Sequence, residues 1–309
     1  MKIAVMATGG VGGVFGAKFA EAGEDITFIA RGAHLEEIKK NGLTILGDEG
    51  DVNIKNIQVT NDPKSIGTTD FIIFAVKLWD TESAATFCKP MLGPETVLIP
   101  FQNGVNSTET ISKIIGEKHT GRGVSRVSAS IKAPGIIHRV GSYGSLAFAE
   151  ADGARSPRME AFLDICNRAG IEAEVPNDIF LTLWQKYIFL VTVSGMTTAA
   201  RKPMRSLIAG SEGLTTAINC MTEVAEVGRA IGIDLPTDTV EKLVNFLKKM
   251  PKNMKASQAI DLENGRRLEA PWLTGNVCKM GRKYGIPTPA NDTLYSVIQP
   301  YIMGERGNS

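Results

Sequence analysis

The chain opens with a short apolar run, KIAVMA (residues 2–7), that passes directly into TGGVGG and then into VFGAKFAEAG, which is apolar at helical spacing up to Gly23. This order of strand, glycine-rich turn and helix constrains the fold more than any other stretch. Glycines let a backbone come close to a pyrophosphate, and the helix that follows offers unsatisfied N–H groups and the positive end of its dipole. Gly9 and Gly12 occupy the second and third positions of a GxGxxG fingerprint. Ala7 occupies the first, placing a methyl where the tight turn ordinarily has none. Ala7, Thr8, Gly9, Gly10, Val11 and Gly12 are therefore the candidate phosphate-facing turn. A glycine cluster alone is more often a plain turn, and it is the position between a first strand and a helix that favours dinucleotide binding.

Further short and almost continuously apolar runs follow at residues 26–30 (ITFIA), 71–76 (FIIFAV) and 97–100 (VLIP). Such runs suit strands buried on both faces of a parallel sheet, and their alternation with helical segments predicts a doubly wound α/β unit of the Rossmann type. Residues 124–150 change to strand-like pieces punctuated by Pro134, Gly135, Gly141 and Gly144, which are expected to complete the sheet with antiparallel or irregular strands. A helical PRMEAFLDICNRAG and a strand-like IEAEVP come next. From Asn177 onward the pattern is helical throughout. The expected division is a nucleotide-binding domain over 1–175 and an all-helical substrate and catalytic domain over 176–309, in keeping with a length beyond that of most single cores.

In an NAD-binding fold an acidic residue about 20 positions beyond the glycines meets the ribose 2′-hydroxyl. Here Arg31 stands 22 residues after Gly9, at the end of ITFIAR. A guanidinium suits a 2′-phosphate, so the expected cofactor is NADP(H); the competing reading is a solvated surface arginine. Lys77 closes FIIFAVK, and Gln102, Asn103 and Gly104 follow VLIPF, both at carboxyl ends of strands where open α/β sheets bind ligands.

The 34 basic and 33 acidic residues nearly cancel. No field is present to hold nucleic acid or an anionic membrane, and the expected partner is a small molecule. Cys88, Cys166, Cys220 and Cys278 lack the spacing of a metal or redox site, and His34, His119 and His138 show no ligand spacing, so no metal is expected and these histidines read as structural or solvated. The N-terminal apolar run is too brief for a signal peptide or a span, which points to the cytoplasm, and apolar C-terminal helices make a homodimer plausible.

The segments MATGGVGGVFG, IARGAHLEEIKKNGL, FAVK, QNGV, APGIIH, LWQK, DLENGRRLE and GRKYGIPTPANDTLY, in this order and spacing, resemble the ketopantoate reductases, or 2-dehydropantoate 2-reductases, over nearly the whole chain. The resemblance implies NADPH-dependent reduction of 2-dehydropantoate to (R)-pantoate, a step toward pantothenate. It also implies Lys186 of LWQK as the proton donor, Asn103 at nicotinamide and substrate, and Lys77 and the Ala129 backbone at the cofactor. Ser257 is implied at the substrate, and Glu269 where cofactor and substrate meet. Three departures stand out. The family's asparagines four and eight residues after the lysine, both substrate contacts, are Leu190 and Ser194 here, and a third, ten residues on, corresponds to Met204.

Hydride addition leaves negative charge on a carbonyl oxygen, and a cationic donor both stabilises that charge and supplies the proton. Lys186 meets both needs, with Leu190 and Ser194 on the same helix face at i+4 and i+8; without the resemblance, a lysine snorkelling from a buried helix would fit equally well. Three functions are compatible with these residues. They are a strict ketopantoate reductase, a reductase of another 2-oxo acid or ketone, and a noncatalytic NADP(H) sensor that kept the fold.

Overall fold

The computed structural model of the chain describes residues 1–48 and 50–304, apart from the side chains of Ser142 and Tyr143. Contacts divide it into two units, Met1–Gln102 with Asn106–Ile179, and Asn103–Val105 with Phe180–Ser309.

The first unit contains, in chain order, β1 (Lys2–Met6), α1 (Gly10–Glu21), β2 (Asp25–Ile29), α2 (Gly32–Asn41), β3 (Leu43–Gly47), β4 (Val52–Ile54), β5 (Gln58–Thr60) and β6 (Thr69–Phe74). These are followed by α3 (Thr81–Phe87), β7 (Leu92–Pro100), α4 (Ser107–Ile115), β8 (Gly121–Ala133), β9 (Ile136–Glu150), α5 (Pro157–Arg168) and β10 (Glu172–Glu174). The parallel sheet has the order β5-β2-β1-β6-β7, with Ile3 beside both Ile26 and Phe71, which makes this a Rossmann-type doubly wound unit. Side chains of β1 alternate between two cores. Ile3 and Val5 join Phe15, Phe19, Phe71 and Phe162 on one face, while Ala4 and Met6 join Ile72, Phe74, Ala85 and Leu98 on the other.

The stretch 124–150 does not complete that sheet. It forms the long antiparallel hairpin β8–β9, which together with β10, β3 and β4 makes a second sheet on the far side of α1. Small residues on α1 explain the difference. A Cβ on Gly10 would overlap the carbonyl of Ala129 in β8, and one on Gly16 would overlap the Phe28 ring in β2. The helix is thus buried on both sides, and its sequence carries no polar face to keep a second sheet away.

The second unit is helical, with α6 (Ile179–Ala200), α7 (Met204–Leu207), α8 (Ser211–Ala230), α9 (Thr239–Leu247), α10 (Ser257–Glu263), α11 (Thr274–Tyr284) and α12 (Pro289–Ile298). By length and composition α6 could cross a membrane, but 61% of its most apolar window is buried inside the protein. Helix α8 packs against α9, α11 and α12, and its Gly228 admits the Trp184 ring of α6 to a distance that a Cβ would forbid.

Glu223 of α8 supplies the cap that α12 lacks in its own sequence. Its carboxylate accepts the N–H groups of Ala290 (2.8 Å) and Asn291 (2.9 Å) and the side-chain amide of Asn291 (2.7 Å). Three charge-assisted bonds at a helix N-terminus also answer the dipole. Glu223→Ala is expected to destabilise the protein by about 3 kcal/mol, since buried donors lose their acceptor, with Glu223→Gln losing about half of that. Urea unfolding of the two variants checks this, and a Glu223→Ala loss below about 0.5 kcal/mol would remove the cap from the account.

Candidate functional site

The glycine turn leaves β1 through Ala7, whose φ of 77° lies in the left-handed region. That region is disfavoured for any residue with a Cβ, which is the physical meaning of the glycine that fingerprints carry at this position. Thr8 is pinned inward, with both its N–H (3.1 Å) and its hydroxyl (3.0 Å) donating to the carbonyl of Ile29 in β2. Gly9 precedes α1 in extended conformation, and a Cβ there would meet nothing within 4 Å. No side chain caps α1, and its first turn holds no acidic residue, so the helix start is open to an anion from the side that Gly9 leaves bare. These features fit the pyrophosphate of a dinucleotide. Val11 is half-buried, and Gly12 lies so close to the Ala7 carbonyl that no larger residue fits.

Arg31 stands at the N-cap of α2 with its side chain 89% exposed, and its Nη2 lies 3.4 Å from Asp80 Oδ2. An exposed ion pair of that length contributes at most about 1 kcal/mol, so a phosphate dianion offering bidentate bonds can take the guanidinium from Asp80. Lys77 follows β6, exposed, with Nζ 5.8 Å from the centre of the Trp79 ring. Gln102 is buried, and its amide donates to the carbonyl of Val76 and to the Thr81 hydroxyl, each at 2.9 Å. It thereby fixes the chain end from which Asn103 departs.

In the second unit Lys186 of α6 donates to Asn103 Oδ1 at 3.1 Å, joining the two residues that the sequence left 83 positions apart. The register of α6 around the lysine is set by aromatic neighbours. Trp184 and Tyr187 meet edge to face at 5.5 Å, and the Tyr187 hydroxyl donates to the carbonyl of Leu273 (2.9 Å) while accepting from the Asn276 amide (3.3 Å). Complete burial holds the Tyr187 phenol well above its ordinary pKa, so it acts as a neutral tether. Sequence reasoning missed Tyr187; its place beside the lysine in LWQKY was the available signal.

The remaining residues differ in access. Leu190 is half-buried one turn beyond Lys186. Ser194 is 1% exposed and Met204 is fully buried. Thr192 and Thr197 return their hydroxyls to the carbonyls of Ile188 and Val193, whereas the Ser194 hydroxyl has no hydrogen-bond partner among the described residues. Ser257 begins α10 on the surface, and Glu269 is 7% exposed just before residues 270–272. All four cysteines are buried free thiols, and burial pushes Cys88 up to about 12. Among the described residues no three His, Cys, Asp or Glu side chains gather as a metal site would require.

Residues 3–153 match the family described as Ketopantoate reductase PanE/ApbA, and residues 178–301 match its C-terminal region. The chain belongs to the ketopantoate reductase family. The uncharacterized oxidoreductase YkpB of Bacillus subtilis is 28% identical over 301 residues, covering 97% of this chain and 99% of the relative. A 2-dehydropantoate 2-reductase of Mesorhizobium japonicum is 28% identical over 329 residues, covering 99% of each. Among solved structures, a PanE/ApbA family ketopantoate reductase from Ralstonia eutropha superposes with a TM-score of 0.89 at 28% identity, covering 97% of this chain and 98% of its own. The protein is an oxidoreductase of a small molecule that works with a nicotinamide cofactor.

The left-handed Ala7 yields a stability prediction. Ala7→Gly should stabilise the protein by about 1 kcal/mol, the relief of the φ strain less the added freedom of the unfolded chain. Thermal unfolding measures it. A destabilised Ala7→Gly variant would mean that the methyl packs more favourably than the turn is strained.

Proposed function

We propose that this ketopantoate reductase family member reduces the ketone of a 2-oxo acid with NADPH, with 2-dehydropantoate as substrate and (R)-pantoate as product. The observation that carries the reading is the Lys186–Asn103 hydrogen bond, which ties the LWQK lysine to the QNG asparagine. The first unit is read as the NADP(H)-binding domain, with Ala7–Gly12, Arg31, Lys77 and Ala129 at the cofactor. Residues 176–309, with Asn103, handle the substrate.

Bound NADPH would supply the hydride. The protein's part is to hold the substrate and manage charge on the oxygen that receives a proton. Lys186 gives that proton from Nζ, and its cationic form stabilises the developing alkoxide. Asn103 Oδ1 accepts a hydrogen bond from Nζ and so fixes the direction of the ammonium; with Oδ1 engaged, its Nδ2 end is the one able to donate to substrate or nicotinamide. Ser257 and Glu269 are taken as further substrate groups. Ser194, with its unpartnered hydroxyl, is a substrate group only if binding brings a polar atom to it.

A second reading, reduction of a less polar 2-oxo acid, is favoured by Leu190. It presents apolar surface beside Lys186 where relatives in the strict family pattern have an amide. Loss of that amide removes a hydroxyl contact and broadens specificity, because an apolar site rejects analogues weakly. A noncatalytic sensor has no use for a lysine held by an asparagine. We infer a cytoplasmic reductase that pairs as a homodimer through its apolar C-terminal helices.

Lys186→Ala is expected to lower turnover by about 10² to 10⁴ while leaving NADPH affinity within about twofold, since the residue acts on the carbonyl and not on the dinucleotide. Steady-state kinetics beside NADPH fluorescence titration separates the two quantities. Near-native turnover by the variant would take Lys186 out of the mechanism.

A further inference from the structure

His34 lies in the first turn of α2, half-buried, and both of its ring nitrogens meet main-chain groups from distant parts of the first unit. Nε2 is 2.8 Å from the carbonyl oxygen of Thr8, in the glycine turn. The N–H of Gly135, at the tip of the β8–β9 hairpin, donates to Nδ1 at 2.9 Å. A carbonyl can only accept and an amide N–H can only donate, so the proton sits on Nε2 and the ring is neutral. Burial agrees with this by pushing the imidazole below its ordinary pKa, against a smaller upward pull from the Thr8 carbonyl.

This bridge has a directional consequence. The Thr8–Gly9 peptide is trans, as are all those described, and in a trans peptide the C=O and N–H point in opposite directions. A Thr8 carbonyl held against His34 therefore aims the Gly9 N–H away from α2. That is the peptide at which a Cβ on Gly9 would find open space, at the start of the uncapped α1. The preceding residue, Ala7, is in the left-handed region, so the turn rests in a conformation it would not keep without restraint. Two restraints act from the hairpin: the Ala129 carbonyl occupies the space a Cβ on Gly10 would need, and Gly135 holds His34, with the Gly135 carbonyl itself accepting from Thr44 of β3 (2.9 Å).

We propose that His34 is a positioning residue for cofactor binding, fixing the Thr8–Gly9 peptide so that its N–H points toward the pyrophosphate of the dinucleotide. The proposal rests on the reading of the first unit as the dinucleotide-binding domain. The pyrophosphate is common to NADPH and NADH, so a fault in this peptide weakens both alike, whereas a fault at Arg31 weakens NADPH alone.

The experiment titrates NADPH and NADH, by nucleotide fluorescence, into the wild-type protein and His34→Ala, His34→Asn, His34→Gln and Arg31→Ala variants, with apo melting temperatures measured alongside. Asparagine can accept from Gly135 at the place of Nδ1 but is too short for Thr8; glutamine can donate to the Thr8 carbonyl at the place of Nε2. Alanine and asparagine are expected to weaken both nucleotides about tenfold, with turnover at saturating cofactor unchanged within about twofold. Glutamine should stay within about threefold of wild type, and Arg31→Ala should weaken NADPH selectively. A lowered melting temperature with wild-type affinity for both nucleotides would show that the bridge serves stability only and overturns the proposal. Selective loss of NADPH in His34→Ala, or asparagine rescuing where glutamine fails, overturns it equally. If His34→Ala does not fold, the asparagine and glutamine pair decides. A wild-type protein that binds neither nucleotide refutes the dinucleotide reading itself, and the proposal with it.

Discussion

The contact between Gly10 and the Ala129 carbonyl is the constraint on which the first unit is built. It allows α1 to lie between two sheets with its N-terminus still open at Gly9, so one helix serves as core element and as candidate anion site. Any larger residue at Gly10 would force the β8–β9 hairpin away from α1. The hairpin would then lose its purchase on the glycine turn and, through Gly135, on His34. Packing and ligand geometry are in this way one problem, because close-packed layers transmit displacement instead of absorbing it.

The second unit solves a related problem with a different device. A lysine on an almost wholly apolar helix has no polar helix face to specify its direction, and the direction comes from its neighbours. Tyr187 tethers α6 to the backbone at Leu273, Trp184 seats against Gly228, and Asn103 takes the ammonium. A positioned donor is worth far more to a reaction than a mobile one, since the ordering is done before the substrate arrives.

The parallel strands β1, β2, β6 and β7 were legible because each carries a short apolar run, and the turn at Ala7–Gly12 was legible because glycine chemistry is local. The second sheet was not. Strand-like pieces in 124–150 announce their conformation but not their partner, and only the small outer face of α1 and the short strands β3 and β4 decide that they pair apart from the first sheet. The edge strand β5, QVT, offers a single apolar residue, Val59, between two polar ones, too little to mark a strand. His34 read as structural or solvated because its two partners are main-chain groups, which leave no mark in side-chain spacing. The Lys186–Asn103 pair was reachable only through the family's motif order, since its bond spans 83 residues that no local pattern connects.

The central claim is that this arrangement reduces a 2-oxo acid at the expense of NADPH. The most direct measurement follows loss of NADPH absorbance, with product identified by mass, for 2-dehydropantoate and for a 2-oxo acid of similar size lacking the 4-hydroxyl. The account predicts NADPH-dependent reduction of both, with a preference for 2-dehydropantoate well below the roughly 10⁴ to 10⁵ that a dedicated hydroxyl contact provides. Tight NADPH binding with no reduction of either acid above the protein-free background would contradict it.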